Sequence, residues 1–111
     1  MSLELFSCKE KVAVVIGGGG HICSRLAEGL AAAGAQVIVA DLRLEKAEKV
    51  CNEVNERFAN STRAMQVDAS SLESLSKLLK GVLSFYSGID VVVNGAGINS
   101  PKPFLEITED E

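Results

Sequence analysis

Short apolar runs alternate along the chain with longer segments in which apolar residues recur every three or four positions. The periodic segments predict helices over 22–33, 44–59 and 71–86, and the apolar runs predict strands over 12–16, 36–40, 63–67 and 90–93. The first run and residues 91–93 of the last are apolar throughout, which is typical of strands covered on both faces of a parallel sheet. The alternation predicts an α/β fold with a doubly wound parallel sheet, strand order 3-2-1-4 and a ligand site between strands 1 and 4.

Capping residues mark several of the predicted helix ends. Gly34 fits a C-cap for the first helix, and Ser70 with Glu73 three residues later fits a capping box for the third. A second capping pattern, Thr108–Glu111, announces a further helix, and strand 90–93 is expected at an uncovered sheet edge. We therefore expect residues 1–111 to be the N-terminal portion of a longer domain, truncated after the fourth strand and the start of the next helix.

Composition narrows the class of protein. The 111 residues are 47% hydrophobic and carry a net charge of −4, which argues against nucleic acid as the main ligand. No apolar stretch is long enough for a membrane span. Cys8, Cys23 and Cys51 form no Cys-x-x-Cys pair, so a reducing cytoplasm is the expected compartment. The single histidine, His21, excludes a metal centre with several histidines.

The most informative motif is a glycine turn between the first predicted strand and helix. The main chain carries no side chains at the point where a helix N-terminus can receive a phosphate group, because the turn consists of Gly17, Gly18, Gly19 and Gly20. We expect this backbone to leave room for the diphosphate of a dinucleotide.

An acidic residue ends the second predicted strand. Asp41 stands 24 positions after Gly17, near the spacing at which a carboxylate binds the adenosine ribose. Its charge repels a 2′-phosphate and therefore favours NAD over NADP, although the nearby Arg43 weakens that preference. A helix N-cap and a solvated loop acid are the alternative roles for Asp41.

These motifs occur in an order that resembles the N-terminal half of a short-chain dehydrogenase/reductase, a family with the Rossmann fold. The resemblance is carried by residues 11–23, 39–42, 67–68 and 94–97. It implies an NAD(P)-binding domain over 1–111 whose cofactor contacts come from the glycine turn and the strand ends: Gly17, Gly18, Gly19, Gly20, His21, Ile22, Asp41, Leu42, Asp68, Ala69, Asn94, Gly95, Ala96 and Gly97. By the same resemblance Asp68 meets the adenine ring. From the residues alone, Asp68 is equally consistent with a turn; a turn is also the alternative for 94–97, but their place after an apolar strand disfavours it.

The glycine loop departs from the family's Thr-Gly-x-x-x-Gly-x-Gly pattern. Ile16 replaces the threonine, and His21 and Cys23 replace the second and third glycines, so side chains are expected to crowd both positions. A shifted register through Gly18, Gly20 and Cys23 gives a Gly-x-Gly-x-x-Cys pattern instead. The cofactor is accordingly expected to bind normally, weakly, or in an altered loop.

Two unusual residues of this loop have several roles open to them. His21 can hydrogen-bond a phosphate or ribose, or point to solvent or a neighbouring subunit; no nearby carboxylate supports a role as catalytic base. Cys23 fits a small packing residue better than a redox group, since it has no partner thiol.

The family's chemistry relies on a serine and a Tyr-x-x-x-Lys pair that are missing from residues 1–111. Tyr86 is followed four positions later by Asp90 and not by a lysine, so no catalytic residue is assigned here. The resemblance implies the cofactor-binding part of an NAD-dependent oxidoreductase that acts on an alcohol or carbonyl group and forms a homo-oligomer at full length. A non-catalytic nucleotide-binding or regulatory module is the alternative. A methyltransferase is a third interpretation, which the sequence Asn94–Gly97 disfavours.

Overall fold

The computed structural model describes residues 3–96, a three-layer arrangement of a four-stranded parallel sheet with helices on both faces. A short 3₁₀ helix, Leu3–Phe6, precedes the sheet. The helices are α1 (His21–Ala32), α2 (Leu44–Arg57) and α3 (Leu72–Phe85), and the strands are β1 (Val12–Ile16), β2 (Gln36–Asp41), β3 (Thr62–Gln66) and β4 (Val91–Asn94). The predicted doubly wound Rossmann architecture is confirmed.

The strand order is β3-β2-β1-β4, as the alternation of apolar runs predicted. All neighbouring strands are parallel, and Val14 of β1 pairs with Ile38 on one side and Val92 on the other. The chain moves outward from β1 to β3 and then crosses to the opposite side of β1 to form β4. The carboxyl ends of β1 and β4 therefore flank the point where the winding direction reverses, which is where open α/β sheets bind their ligands.

Alternate residues of the central strands supply two separate cores. Val15, Val37 and Val39 pack against α1 and α2 on one face of the sheet. On the other face Ile38 and Ala40 pack with residues of α3. Burial of each large aliphatic side chain stabilises the fold by about 1.5–3 kcal/mol, so β1 and β2 form the most strongly held part of the molecule.

Most predicted boundaries differ from the observed ones by one or two residues. Helix α2 ends at Arg57 and not at 59, because the Phe58 amide closes the last turn on Val54 O and Asn60 adopts a φ of +58°. The C-cap of α1 is Ala33, one residue before the predicted Gly34, which follows it at a φ of +103°, the left-handed conformation that glycine commonly adopts just after a helix C-cap.

The N-cap predicted for the third helix is wrong by one residue. Ser71 caps α3, with its Oγ accepting a hydrogen bond from the Ser74 amide at 3.1 Å. Ser70 instead donates its hydroxyl to Asp68 Oδ1 at 2.6 Å, because the turn after β3 brings these two side chains together. The capping pattern predicted over 108–111 lies outside the described residues.

Strand β4 lies at one edge of the described sheet. Val93 packs on the face covered by α1 and α2, while Val92 on the opposite face is 60% exposed. Among residues 3–96, no helix combines the length and the apolar character that crossing a membrane requires.

Candidate functional site

A cavity of about 600 Å³ opens at the carboxyl ends of all four strands. Its volume lies within the range of roughly 300–1,000 Å³ that small-molecule sites occupy. The lining residues follow the four strand ends in turn: Ile16, Gly17, Asp41, Leu42, Val67, Asp68, Ala69, Ser70, Asn94, Gly95 and Ala96. The cavity therefore lies at the winding reversal, where the predicted strand order locates a ligand.

Eight of the predicted site residues line this cavity, namely Gly17, Asp41, Leu42, Asp68, Ala69, Asn94, Gly95 and Ala96. Five others, Gly18, Gly19, Gly20, His21 and Ile22, belong to the adjoining turn and the first turn of α1 and are not among the lining residues. Gly97 lies outside the described residues. Ile16, Val67 and Ser70 also line the cavity and were not predicted. Ile16 and Val67 stand at strand ends, which is the signal that could have identified them.

The glycine turn is held by hydrogen bonds from its own amides. Gly17 and Gly18 both donate to Ala40 O, at 2.8 and 3.0 Å, and Gly20 donates to Gly17 O at 3.0 Å. Gly17 has a φ of +78°, a conformation that favours glycine. Because these amides already have acceptors, they are not free to donate to a ligand. The turn therefore provides a close-packed backbone.

Asp41 joins the glycine turn to the end of β2. Its Oδ2 accepts from the Gly19 amide and its Oδ1 accepts from the Arg43 amide, each at 3.0 Å. Arg43 is itself the N-cap of α2, so Asp41 does not have the N-cap role that the sequence left open. The carboxylate is half-buried in the cavity wall, where its remaining acceptor positions can receive hydroxyl groups.

Free backbone donors lie in the first turn of α1. Its N-cap is Gly20, which has no side chain to accept these bonds, and the turn contains no acidic residue. Within residues 3–96, the amides of His21, Ile22 and Cys23 have no hydrogen-bond acceptor. Three unpaired amides at the positive end of a helix dipole are suited to receive an anion, and they follow the four glycines directly along the chain.

The two side chains that replace family glycines are accommodated differently. His21 is exposed at the start of α1, so its imidazole does not fill the cavity. Cys23 contacts Gly95, and a β-carbon built on Gly95 overlaps the Cys23 sulfur. The crowding expected from Cys23 is thus absent because residue 95 has no side chain.

Asp68 follows β3 at the far wall of the cavity. Its Oδ1 accepts from the Ser70 hydroxyl at 2.6 Å and the Ser70 amide at 3.0 Å. These bonds, the side-chain bond foremost, lower the pKa of the Asp68 carboxyl. Asp68 is therefore a turn residue that also lines the cavity.

The chain is similar to known proteins in both sequence and fold. Residues 11–111 match the family model described as short chain dehydrogenase. An uncharacterised oxidoreductase of Bacillus subtilis, YuxG, is 38% identical over 97 residues, which are 86% of this chain and 14% of that protein. The chain spans 14% to 40% of the length of the curated relatives it matches.

Two solved structures with bound nicotinamide cofactors share this fold. An oxidoreductase from Haemophilus influenzae with bound NAD superimposes with a TM-score of 0.80 and 26% identity, covering 97% of this chain and 41% of that one. The L-sorbose reductase of Gluconobacter frateurii, complexed with NADPH and L-sorbose, gives 0.84 and 26% identity, covering 95% and 40%.

Proposed function

The chain belongs to the short-chain dehydrogenase family, and on that premise we propose that its cavity binds NAD. The observation that carries the proposal is the position of Asp41, which lines the cavity and is hydrogen-bonded to the glycine turn beside it. A carboxylate in this place brings the ribose acceptor and the phosphate donors of one dinucleotide into a single site.

Each part of the dinucleotide has a matching surface in this proposal. The diphosphate accepts from the amides of His21, Ile22 and Cys23 in the first turn of α1. Asp41 accepts from the adenosine ribose hydroxyls, with Leu42 beside it. The adenine lies against the segment after β3, where Asp68 and Ala69 line the cavity.

Gly17 and the segment after β4 form the wall nearest the winding reversal. Gly95 adds no side chain there, and Asn94 Oδ1 holds the loop by accepting from the Ala96 amide at 3.2 Å. The other predicted glycines, Gly18, Gly19 and Gly20, let the turn pack closely, since a β-carbon on Gly18 would approach Val39 Cγ1 to 2.7 Å. Gly97 lies outside the described residues, and its cofactor contact stays a prediction from the sequence.

The preference for NAD over NADP rests on charge. The two related structures contain NAD in one case and NADPH in the other, so the family alone does not decide the cofactor. If Asp41 binds the ribose hydroxyls as proposed, its carboxylate faces the 2′ position, where it would repel the like charge of a 2′-phosphate. Arg43 follows closely and offsets part of that repulsion, but its amide is tied to Asp41 Oδ1.

The activity proposed for the whole protein is oxidation of an alcohol, or reduction of a carbonyl, by hydride exchange with the nicotinamide. Bound NAD supplies the hydride acceptor. Residues of this chain bind and orient the cofactor, while the serine and Tyr-x-x-x-Lys groups that move the proton in the family are not found in residues 1–111. We further propose a cytoplasmic location, in keeping with the three free cysteines.

Calorimetric titration of the chain with NAD and with NADP tests the proposal. We expect saturable binding of one NAD per chain, with NADP weaker by about tenfold or more because of charge repulsion, a difference of about 1.4 kcal/mol or more in binding free energy. Equal affinity for both would contradict the role of Asp41. Absence of binding by either nucleotide would refute the proposed function.

A further inference from the structure

We infer that Cys23 and Gly95 form a steric pair that sets the position of the cavity wall after β4. The Cys23 sulfur occupies the space of the side chain that residue 95 lacks. The inference rests on the proposed function and deepens it, because it makes Cys23 a positioning residue for the nucleotide without any contact of its own thiol with the ligand.

The contact between the two residues is direct. Cys23 lies in the first turn of α1, and Gly95 immediately follows β4, where its amide donates to Ile16 O at 2.9 Å. A β-carbon on Gly95 overlaps the Cys23 Sγ atom, yet it lies 3.6 Å from the Cys23 Cβ, an ordinary contact distance. The sulfur atom is therefore the main obstacle to a side chain at position 95; Ile16 O, at 3.1 Å, is also close and would have to shift by a few tenths of an ångström.

The Gly95 peptide is also confined from its other side. A β-carbon on Gly17 would lie 3.1 Å from the Gly95 carbonyl carbon and 3.3 Å from the Ala96 amide nitrogen. The peptide is thus held between the glycine turn and the first turn of α1. Gly17, Gly95 and Ala96 all line the cavity, so a shift of this peptide changes the surface that the nucleotide meets.

The reason for glycine at position 95 is space and not backbone conformation. Only Gly17 and Gly34 among the described glycines have a φ in the left-handed region, so alanine at 95 meets no conformational penalty. Removing the sulfur while adding a methyl group at 95 therefore moves one heavy atom across the contact and leaves the local volume nearly unchanged. This exchange makes the pair testable by a double-mutant cycle.

The experiment compares Gly95→Ala, Cys23→Ala and the double variant C23A/G95A with the unsubstituted chain. NAD affinity is measured by calorimetry, and the free energy of unfolding by urea titration. Overpacking against the sulfur should raise the NAD Kd of G95A by about tenfold or more. The double variant should return to within about threefold of the unsubstituted chain. Gly88→Ala is the control, since a β-carbon there has no neighbour within 4 Å.

Three outcomes overturn the inference. The first is an NAD Kd for G95A equal to that of the G88A control. The second is a double variant that binds NAD no better than G95A. The third is a loss of stability in G95A with unchanged affinity, which would make the contact purely structural. Failure of the unsubstituted chain to bind NAD instead refutes the proposed function. In that case, recovery of the unfolding free energy in C23A/G95A still decides whether both side chains compete for one space.

Discussion

The Oδ2 atom of Asp41 accepts a hydrogen bond from the Gly19 amide at 3.0 Å, which joins the end of β2 to the glycine turn after β1. The same carboxylate lines the cavity proposed for NAD. One side chain thereby organises the turn and, in the proposed function, presents acceptors to the nucleotide. An acid that only contacts the ribose would matter only when ligand is bound. Because Asp41 also holds the glycine turn, removal of its carboxylate should affect the protein without ligand as well.

Asp41→Ala should therefore weaken both ligand binding and the fold. Loss of a hydrogen bond to a charged acceptor should raise the NAD Kd by about tenfold to a hundredfold. The amides of Gly19 and Arg43 lose their partner, which should lower the unfolding free energy by about 1–2 kcal/mol. Calorimetry and urea titration measure the two effects.

Asp90→Ala is the matched control for Asp41→Ala. Asp90 Oδ2 also accepts from a backbone amide, that of Val12 at 2.8 Å, but at the amino end of β1, away from the cavity. D90A should destabilise the fold and leave the NAD Kd unchanged. Equal loss of affinity in D90A and D41A would mean that reduced stability, and not the ribose contact, explains the effect.

Gly17→Ala should destabilise the chain by about 1–3 kcal/mol, because a φ of +78° strains any other residue and the new β-carbon presses on the Gly95 peptide. Gly29→Ala is the contrasting variant, since Gly29 lies in α1 with open space around its Cα. It should stabilise the chain by about 0.5–1 kcal/mol through helix propensity. Urea titration of both variants checks the opposite signs, and a neutral G17A would contradict the packing described for the turn.

The two adjacent serines before α3 should respond differently to substitution. Ser71→Ala removes the N-cap and should cost about 1 kcal/mol of stability. Ser70→Ala removes the hydroxyl donor that chiefly lowers the Asp68 pKa, so that pKa should rise toward its ordinary value of 3.8. An NMR titration of the Asp68 carboxyl in each variant distinguishes them, since S71A keeps the Ser70 hydroxyl. An Asp68 pKa unaltered in S70A would contradict this assignment.

The same hydrogen bond predicts a pH dependence of stability. The Asp68 pKa is lower in the folded chain than its ordinary value, so its contribution is present above that value and is lost as the pH falls through the folded pKa. We expect the unfolding free energy of the unsubstituted chain to fall more than that of S70A below pH 3.8. Parallel pH profiles for the two proteins would contradict the expectation.

Of the two thiols of Cys8 and Cys51, that of Cys51 should be the less reactive. It is buried, and that burial, together with the charge of Glu48, raises its pKa. A smaller thiolate fraction and poor access both slow alkylation. Mass spectrometry after brief exposure to iodoacetamide at pH 8 should find Cys8 modified first, and unfolding in urea should remove the difference. Equal rates in the native chain would mean that Cys51 is accessible.

The fold could be predicted because its two central strands, β1 and β2, are nearly continuous apolar runs. Residues 12–16 and 36–40 have few polar positions, so their burial on both faces follows from composition and period alone. Helix ends were predicted less well, since they depend on single hydrogen bonds. Ser70 and Ser71 have the same hydroxyl group, and the one that caps α3 is decided by the turn that draws Ser70 to Asp68.

The lining of the cavity was predicted in part, for a related reason. Residues at the ends of parallel strands meet at one edge of the sheet, so Asp41, Asp68 and Asn94 could be grouped from their positions alone. The contact between Cys23 and Gly95 could not be found in this way, because the two residues are far apart in sequence and neither follows a repeating pattern. Likewise, the hydrogen-bond acceptors of the glycine amides could not be predicted from the sequence of the turn.

An NMR titration of the ¹⁵N-labelled chain with NAD tests most directly whether the first turn of α1 receives the diphosphate. We predict that the amide resonances of His21, Ile22 and Cys23 shift the most, together with those of Gly95 and Ala96 along the cavity wall. Saturable binding of NAD without a shift in the amide resonances of His21, Ile22 and Cys23 would contradict this assignment and locate the nucleotide elsewhere on the chain.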